Sequence, residues 1–536
     1  MTEKKKYGIV IPQRQGSFPL KEGESISKVQ VMQMLYKSTR NSQLRLEASQ
    51  VIAQGISDEG GLFVPESFPD LSRELPDLAK LDYPALAKVI FGKFLTDFTE
   101  EEIAACVDKA YTQEKFGSGC PVKLISLASG EENKFLLELW HGPTCAFKDM
   151  ALQILPQFLT TALRKVGNGK EAVILTATSG DTGKAALEGF KDVQGTRILV
   201  FYPRDGVSPM QKRQMATQEG ENVAVCAIEG NFDDAQSSVK KIFTDPALKD
   251  VLAQHNMLFS SANSINWGRL LPQIVYYMYA YLELVRTGKT TLGEPMDVVV
   301  PTGNFGNILA AYYARKMGLP IRKLVCASNA NKVLTDFIRT GTYDRRREFY
   351  ATSSPSMDIL ISSNLERLLY DLSGEDSELL SSWMKDLAET GVYSVGDSVK
   401  KKVQDLFYGG YCQEEGTAQT IQELWQNENY LCDTHTAVAV DVYRQYLRDA
   451  GTVPVPAVIA STANPYKFSA SVLEALGKAP AADDFENLRQ LEGTTGIAAP
   501  AQLRSLQEKP ERFSQVIPKD QAASYVLETL GIGGKQ

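Results

Sequence analysis

The sequence predicts an α/β protein built on mostly parallel sheets. From residue 171 onward, short apolar runs alternate with helical stretches, which is the pattern of βαβ units. Those runs are continuously apolar rather than alternating, as strands buried on both faces are. Polar, glycine-rich turns fall where the strands end and the helices begin, which is where sheets of this kind bind ligands.

Residues 1–35 are mixed and polar and read as a loose arm. From about 36 to 118 the pattern is mainly helical. In "TEEEIAACVDKAY", Thr99 is placed to cap a helix and Glu102 to close a capping box. "KFLLELW" (134–140) reads as a strand running into "HGPTCAFKDMALQ" (141–153). "EAVILTAT", "SGDTG" (179–183) and "KAALEGF" then form a strand–turn–helix unit. "RILVFYP" (197–203) pairs with the helical "SPMQKRQMA", and "NVAVCAI" (222–228) with "DDAQSSVKKIF". "MDVVVPTGNFGN" with "ILAAYYARKMG", and "KLVCASN" with "NKVLTDFIR", repeat the scheme. The expected domains are an N-terminal helical one over 1–118, a large one from 119–168 and 290–536, and a smaller α/β one over 169–289. No function attaches to the residues after about 480.

A chain of 536 residues exceeds one hydrophobic core, in line with several domains. Its composition, 43% hydrophobic and 23% charged, is that of a globular protein, and a formal charge of -8 argues against nucleic acid as a partner. No apolar run reaches the ~18 residues of a membrane span. The opening "MTEKKKYGIVIPQRQ" lacks the apolar stretch of a signal peptide. Seven scattered cysteines without a C-x-x-C pair read as reduced thiols, so a cytoplasmic protein is expected. The three histidines (141, 255, 435) have no metal-ligand spacing, and no metal is expected. A monomer and a dimer are equally compatible with this composition.

In "VVVPTGNFGNILAAYYA" a strand ends at Val300, Gly303, Asn304, Phe305, Gly306 and Asn307 form a turn, and a helix begins. Glycines let the backbone approach an anion, and a helix N-terminus offers free N–H groups and partial positive charge. No Walker lysine follows and the spacing is not G-x-G-x-x-G, so the turn fits a single phosphate or is a plain tight turn. "SGDTG" has the same plan. With Thr178, Ser179, Gly180, Asp181 and Thr182 it suits a carboxylate or second phosphate, or is an ordinary capped helix start. Lys148 lies between Phe147 and Asp149, ahead of an apolar run. A lone lysine is normally a solvated surface charge. A lysine in an apolar pocket has a lowered pKa and forms Schiff bases. Such a lysine together with one phosphate cradle is the protein's side of pyridoxal phosphate binding.

"HGPTCAFKDMALQ" resembles the cofactor-lysine motif of the threonine synthase family. Further stretches resemble that family's signatures in order: "YKSTRN" (36–41), "GISDEGGLFVPE" (55–66), "TSGDTGKAA" (178–186), "NSINWGRLLPQ" (263–273), "PTGNFGN" (301–307), "SPSMDILISSNLERLL" (354–369), "DTHTAVAV" (433–440) and "STANPYKF" (461–468). The likeness is to the longer-chain branch found in fungi and many bacteria.

The resemblance implies a tryptophan synthase β-like, fold type II enzyme with two mostly parallel twisted sheets flanked by helices. The large domain then binds pyridoxal 5'-phosphate. It makes Lys148 the lysine bonded to that cofactor, the 303–307 turn the cofactor-phosphate loop, and Thr462 the hydroxyl at the pyridine nitrogen. It makes the 178–182 turn, Asn266 and Arg269 substrate ligands, arginine suiting a bidentate anion contact. Read from the residues, Asn266 and Arg269 also fit a helix start with a surface ion pair, and His141 a cap of the lysine turn. Asn41, Cys145, Gly268 and Asn464 depart from the usual family residues. The implied reaction turns O-phospho-L-homoserine and water into L-threonine and phosphate. The alternatives are a lyase or dehydratase releasing 2-oxobutyrate, a catalytically silent relative, and a dehydrogenase, which the missing dinucleotide turn disfavours.

Overall fold

The computed structural model describes residues 33–532 apart from 118, 128–132, 179, 206, 231 and 452. The arm expected over 1–35 falls almost wholly outside the described residues, and so does Ser179.

Strands β1 (Tyr36–Ser38), β2 (Asn41–Leu46) and β3 (Phe63–Pro65) form an antiparallel sheet in the order β2-β1-β3. The segment 36–118 is mainly helical, as expected, but this small sheet at its start was not expected. β1 and β3 have three buried residues each, too few to show any period. Helices prevail after them, chiefly Tyr83–Phe94 and Glu100–Ala110. The second begins with the expected capping box between Thr99 and Glu102.

The larger sheet takes β4 (Lys123–Ser126) and β5 (Lys134–Glu138) from before the smaller sheet's segment. The smaller sheet comprises β6 (Glu171–Ala177), β7 (Thr196–Pro203), β8 (Val223–Ile228) and β9 (Met257–Ser260). The chain then returns through β10 (Met296–Pro301) and β11 (Ile321–Ser328). A two-stranded excursion, β12 (Thr342–Asp344) and β13 (Val392–Ser394), precedes β14 (Phe407–Tyr411) and β15 (Ala457–Ser461). The larger sheet runs β14-β11-β10-β15-β5-β4 and is parallel except at its β4 edge. With a fifth strand, β16 (Val516–Ile517), the smaller sheet runs β16-β8-β7-β6-β9 and is parallel throughout. This edge strand comes from the segment to which the sequence attached no role. Ile517, Ala522, Val526 and Leu530 pack into the same core as Val173, Leu175 and Leu199.

Apart from Arg197 in β7, the central strands are buried along their whole length, which explains their continuous apolar runs. Between strands the chain crosses over through helices, so each parallel pair places a strand end beside a helix start. Trp267–Arg286, a helix of 20 residues buried over most of its surface, forms part of the main core with Tyr36, Phe94 and Tyr313. Among the described residues no helix is long and apolar enough to cross a membrane.

Candidate active site

Lys148 sits where two loops are joined by backbone hydrogen bonds. The Phe147 N–H donates to the Thr462 carbonyl at 2.8 Å, and the Asn464 N–H donates to the Cys145 carbonyl at 3.0 Å. Ala146 and Ala463 form an antiparallel bridge between these bonds. Thr462, just beyond β15, is thereby brought to the turn that carries Lys148. Cys145 adopts φ 59°, a left-handed conformation that tightens this turn. Asp149 secures it from the other side, accepting the Thr144 N–H and the Thr144 hydroxyl, each at 2.8 Å. A Cβ on Gly142 would lie 2.5 Å from Asp149 Cβ, so the turn closes only over a glycine. Burial pushes the Asp149 carboxyl up to about 7, against the pull of the Thr144 donors.

The Lys148 side chain is 12% exposed. Its Nζ faces Ser356 Oγ at 3.4 Å and Asp181 Oδ2 at 3.9 Å. Burial is the main cause that lowers its pKa to about 8; Asp181 opposes the fall, while Lys467 and Arg269 add to it. A second lysine, Lys467, is buried in the turn after β15, with Nζ 2.6 Å from Asp181 Oδ1 and 3.1 Å from the Thr144 carbonyl. The Gln211 amide donates to the same Asp181 oxygen at 2.9 Å. Burial alone would raise the Asp181 pKa, but Lys467 and then Lys148 hold it well below the usual carboxylate range.

The turn from Gly303 to Asn307 has the predicted strand–turn–helix form. Phe305 takes φ 61° and the helix Gly306–Lys316 follows. The backbone carbonyls of Gly303 and Asn304 accept hydrogen bonds from Ser362 Oγ (2.7 Å) and Asn364 Nδ2 (3.0 Å). A Cβ on Gly303 would meet the Ser356 carbonyl at 2.5 Å. Asn307 Oδ1 accepts from the hydroxyls of Tyr276 (2.9 Å) and Tyr277, while its buried Nδ2 has no partner among the described residues.

The turn after β6 is organised by Thr178, whose hydroxyl accepts the N–H groups of Gly180 and Gly183, both at 2.9 Å. Gly180 has φ 139°, open to glycine alone, and precedes the helix Asp181–Phe190, whose first turn includes Thr182. The two other sequence candidates part company. Asn266 is the N-cap of Trp267–Arg286: its Oδ1 accepts from Gly268 N–H, and its Nδ2 donates to the Ile52 and Ser261 carbonyls. Arg269 donates to the Ala262 carbonyl, but its buried Nε has no partner among the described residues. Burial lowers its pKa to about 10. His141 is committed to Glu138, at 2.8 Å.

Sequence reasoning missed Lys467, Gln211, Ser356 and His435. His435 Nδ1 lies 2.8 Å from Asp433 Oδ2, and its Nε2 accepts the Ser356 N–H at 3.2 Å, which fixes the Nδ1–H tautomer. This contact holds the Ser356 loop between Lys148 and Gly303. Lys467, Ser356 and His435 lie inside stretches singled out by resemblance; Gln211 lies on the Pro209–Ala216 helix, and nothing in its sequence context marks it.

The residues present fit a phosphate-bearing aldehyde cofactor. A buried amine of lowered pKa can bond the aldehyde, a glycine turn at a helix start can take the phosphate, and two buried donors, on Asn307 and Arg269, await acceptors. Two buried lysines, Lys148 and Lys467, share one carboxylate, Asp181, and Arg269 adds a further cation acting on Lys148, which leaves surplus positive charge for anions.

Three family models match the chain: "Threonine synthase N terminus" over residues 35–111, "Pyridoxal-phosphate dependent enzyme" over 121–462, and "Threonine synthase, C-terminal" over 436–525. Threonine synthase-like 1 of Homo sapiens is 41% identical over 441 residues, which cover 80% of this chain and 58% of that protein. The chain thus spans 58% of the length of that relative. Threonine synthase of Pseudomonas aeruginosa is 37% identical over 494 residues, covering 91% of this chain and 97% of the relative. The crystal structure of pyridoxal-phosphate-bound threonine synthase from Brucella melitensis matches with a TM-score of 0.81 at 34% identity, covering 92% of this chain and 99% of the other.

Proposed function

The chain belongs to the threonine synthase family of pyridoxal-phosphate-dependent enzymes, and from that premise we propose that it converts O-phospho-L-homoserine and water to L-threonine and phosphate in the cytoplasm. The observation that carries this reading is the buried Lys148 amine, lying between the start of the smaller sheet's Asp181–Phe190 helix and the Ser356 loop that packs on Gly303.

When bound, pyridoxal phosphate supplies a carbonyl carbon for an amine and a sink for the electrons freed at the substrate's carbons. Lys148 would hold that carbonyl covalently and yield it to the substrate amine. The 303–307 turn and the N-terminus of Gly306–Lys316 bind the cofactor phosphate, and Asn307 Nδ2 is an available donor for it. Thr462, whose backbone carbonyl is bonded to the Lys148 turn, would supply a neutral hydroxyl for the ring nitrogen. A hydroxyl leaves that nitrogen unprotonated, where a carboxylate would hold a proton on it.

The released Lys148 amine then serves as base for the α-proton, a role that suits a group titrating near 8. The same amine would take a β-proton as phosphate leaves from Cγ, a proton would be delivered to Cγ, and water would add at Cβ with return of a proton to Cα, giving L-threonine. Arg269 binds the substrate phosphate through its unpartnered Nε and stabilises the charge that gathers on it as it leaves. The Thr178–Thr182 turn holds the second substrate anion, the carboxylate. Asn266 contributes by capping the helix that presents Arg269 one turn later. The smaller sheet closing over the larger shields the reacting carbons from water until the last step.

The test loads the purified full chain with pyridoxal phosphate and supplies O-phospho-L-homoserine. Threonine and phosphate in equal amounts are expected. Phosphate with 2-oxobutyrate in place of threonine would make the protein a lyase. A loaded protein that releases neither would be a binding relative, a reading kept in view by the 41% identity to a protein named only threonine synthase-like.

A further inference from the structure

We propose that Lys467 is a positioning residue for this reaction: by engaging the Asp181 carboxylate, it keeps the Lys148 amine from becoming that carboxylate's ammonium partner. The proposal deepens the reading of Lys148 as the cofactor-bearing lysine and rests on it.

Three charged groups meet here in a largely buried space. The Lys467 side chain is 0% exposed and the Asp181 side chain 3%. A buried carboxylate binds a buried ammonium strongly, and whichever lysine is closer takes most of that attraction. Lys467 is the closer, at 2.6 Å from Oδ1 against 3.9 Å from Oδ2 for Lys148. The Thr144 carbonyl, 3.1 Å from Lys467 Nζ, fixes the ammonium in place, and Gln211 occupies the same Asp181 oxygen. Thr144 is also the residue that Asp149 holds at the base of the Lys148 turn, so Lys467 is tied to the loop it serves.

The remaining charged groups around Lys148 do not replace this arrangement. Arg269 is a further cation. Asp149 is turned toward Thr144. With Lys467 present the cations outnumber the carboxylate and Lys148 is the one that yields its proton. Without it, Lys148 would be the cation nearest Asp181 and would keep its proton. Arginine at 467 would retain the charge, though in a broader head group.

The test strips the cofactor from the full-length protein and treats it with a trace of acetic anhydride across pH 6–11. Acetylation of Lys148 is read by peptide mass against Lys401, whose side chain is 77% exposed. Only the neutral amine reacts, so the midpoint reports the proton on Lys148. In the wild type the midpoint lies near 8. In Lys467→Met it rises, and labelling at pH 8 falls about fivefold or more, since a rise of about one unit takes the neutral fraction there from about 1/2 to about 1/11. Lys467→Arg stays within about twofold of wild type. Asp181→Asn, which keeps the shape and a donor or acceptor for Gln211, moves the midpoint below the wild-type value even where Lys467→Met does not fold. A Lys148 midpoint unmoved in Asp181→Asn, or unmoved or lowered in Lys467→Met, would overturn the proposal. Because the readout needs neither cofactor nor substrate, it is distinct from the parent reading, which fails if pyridoxal phosphate does not attach at Lys148.

Discussion

Lys148→Ala removes an amine from a turn that is held together by its backbone. The bonds of Phe147 and Asn464 to the partner loop survive the change, so the chain folds while the cofactor loses its attachment. Activity is expected to fall by about 10³-fold or more, because the residue acts as both anchor and base, and the visible absorption of the loaded protein disappears. The wild-type amine also sets a pH rule. Capture requires the neutral form, and its fraction grows about tenfold per pH unit below a pKa near 8. Stopped-flow absorbance should show the capture rate rising with pH and levelling above about 8. A rate that keeps climbing toward pH 10 would mean an ordinary lysine. At this scale the sequence was legible where a residue lies in a distinctive stretch, as Lys148, Thr462 and the 303–307 turn do. It was silent about Lys467, since a lysine read from sequence is a surface charge until a fold supplies its carboxylate. It also did not separate Asn266, a helix cap in the structure, from Arg269 with its open Nε, because burial and unmet hydrogen bonds exist only in three dimensions.

Among the elements, the contact that fixes the Lys148 helix most tightly involves Gly189. This residue lies in Asp181–Phe190, where a Cβ would stand 1.9 Å from the Leu152 carbonyl at the end of the short helix Asp149–Leu152. Backbone cannot yield as a side chain can, so Gly189→Ala must part the two helices. Loss of ~3 kcal/mol or more is expected by denaturant unfolding, comparable to a severe overpacking, with weaker cofactor binding alongside it. Thr99→Ala probes a site remote from the chemistry. It removes a cap that accepts the Glu102 N–H at 3.2 Å, and should cost about 1 kcal/mol with unchanged kcat. Long buried strands such as β6, β7, β8, β10 and β11 were readable because each is a continuous apolar run ended by a turn. β1 and β3, with three residues each, and β14, whose "FYGGY" carries two glycines, were not, since tertiary pairing rather than local pattern makes them strands.

For the whole molecule, the fold type II architecture expected from the ordered motifs is the one the chain has. What the sequence could not convey is how its end returns to the smaller sheet. β16 covers the β8 edge, and the residues from Ile517 to Leu530 close the core behind it. Ending the chain at Arg504 would expose that edge and the apolar face beneath, so the shortened protein should aggregate on size-exclusion chromatography while the intact chain does not. A short strand far along the chain leaves no local signature, and its partner lies nearly 300 residues away. Whether the lysine between the larger and smaller sheets bonds pyridoxal phosphate is decided by reducing the loaded protein with borohydride and mapping the modified peptide. One modified residue, Lys148, is expected, with loss of the visible absorption. Modification spread over surface lysines, or none at Lys148, would contradict it.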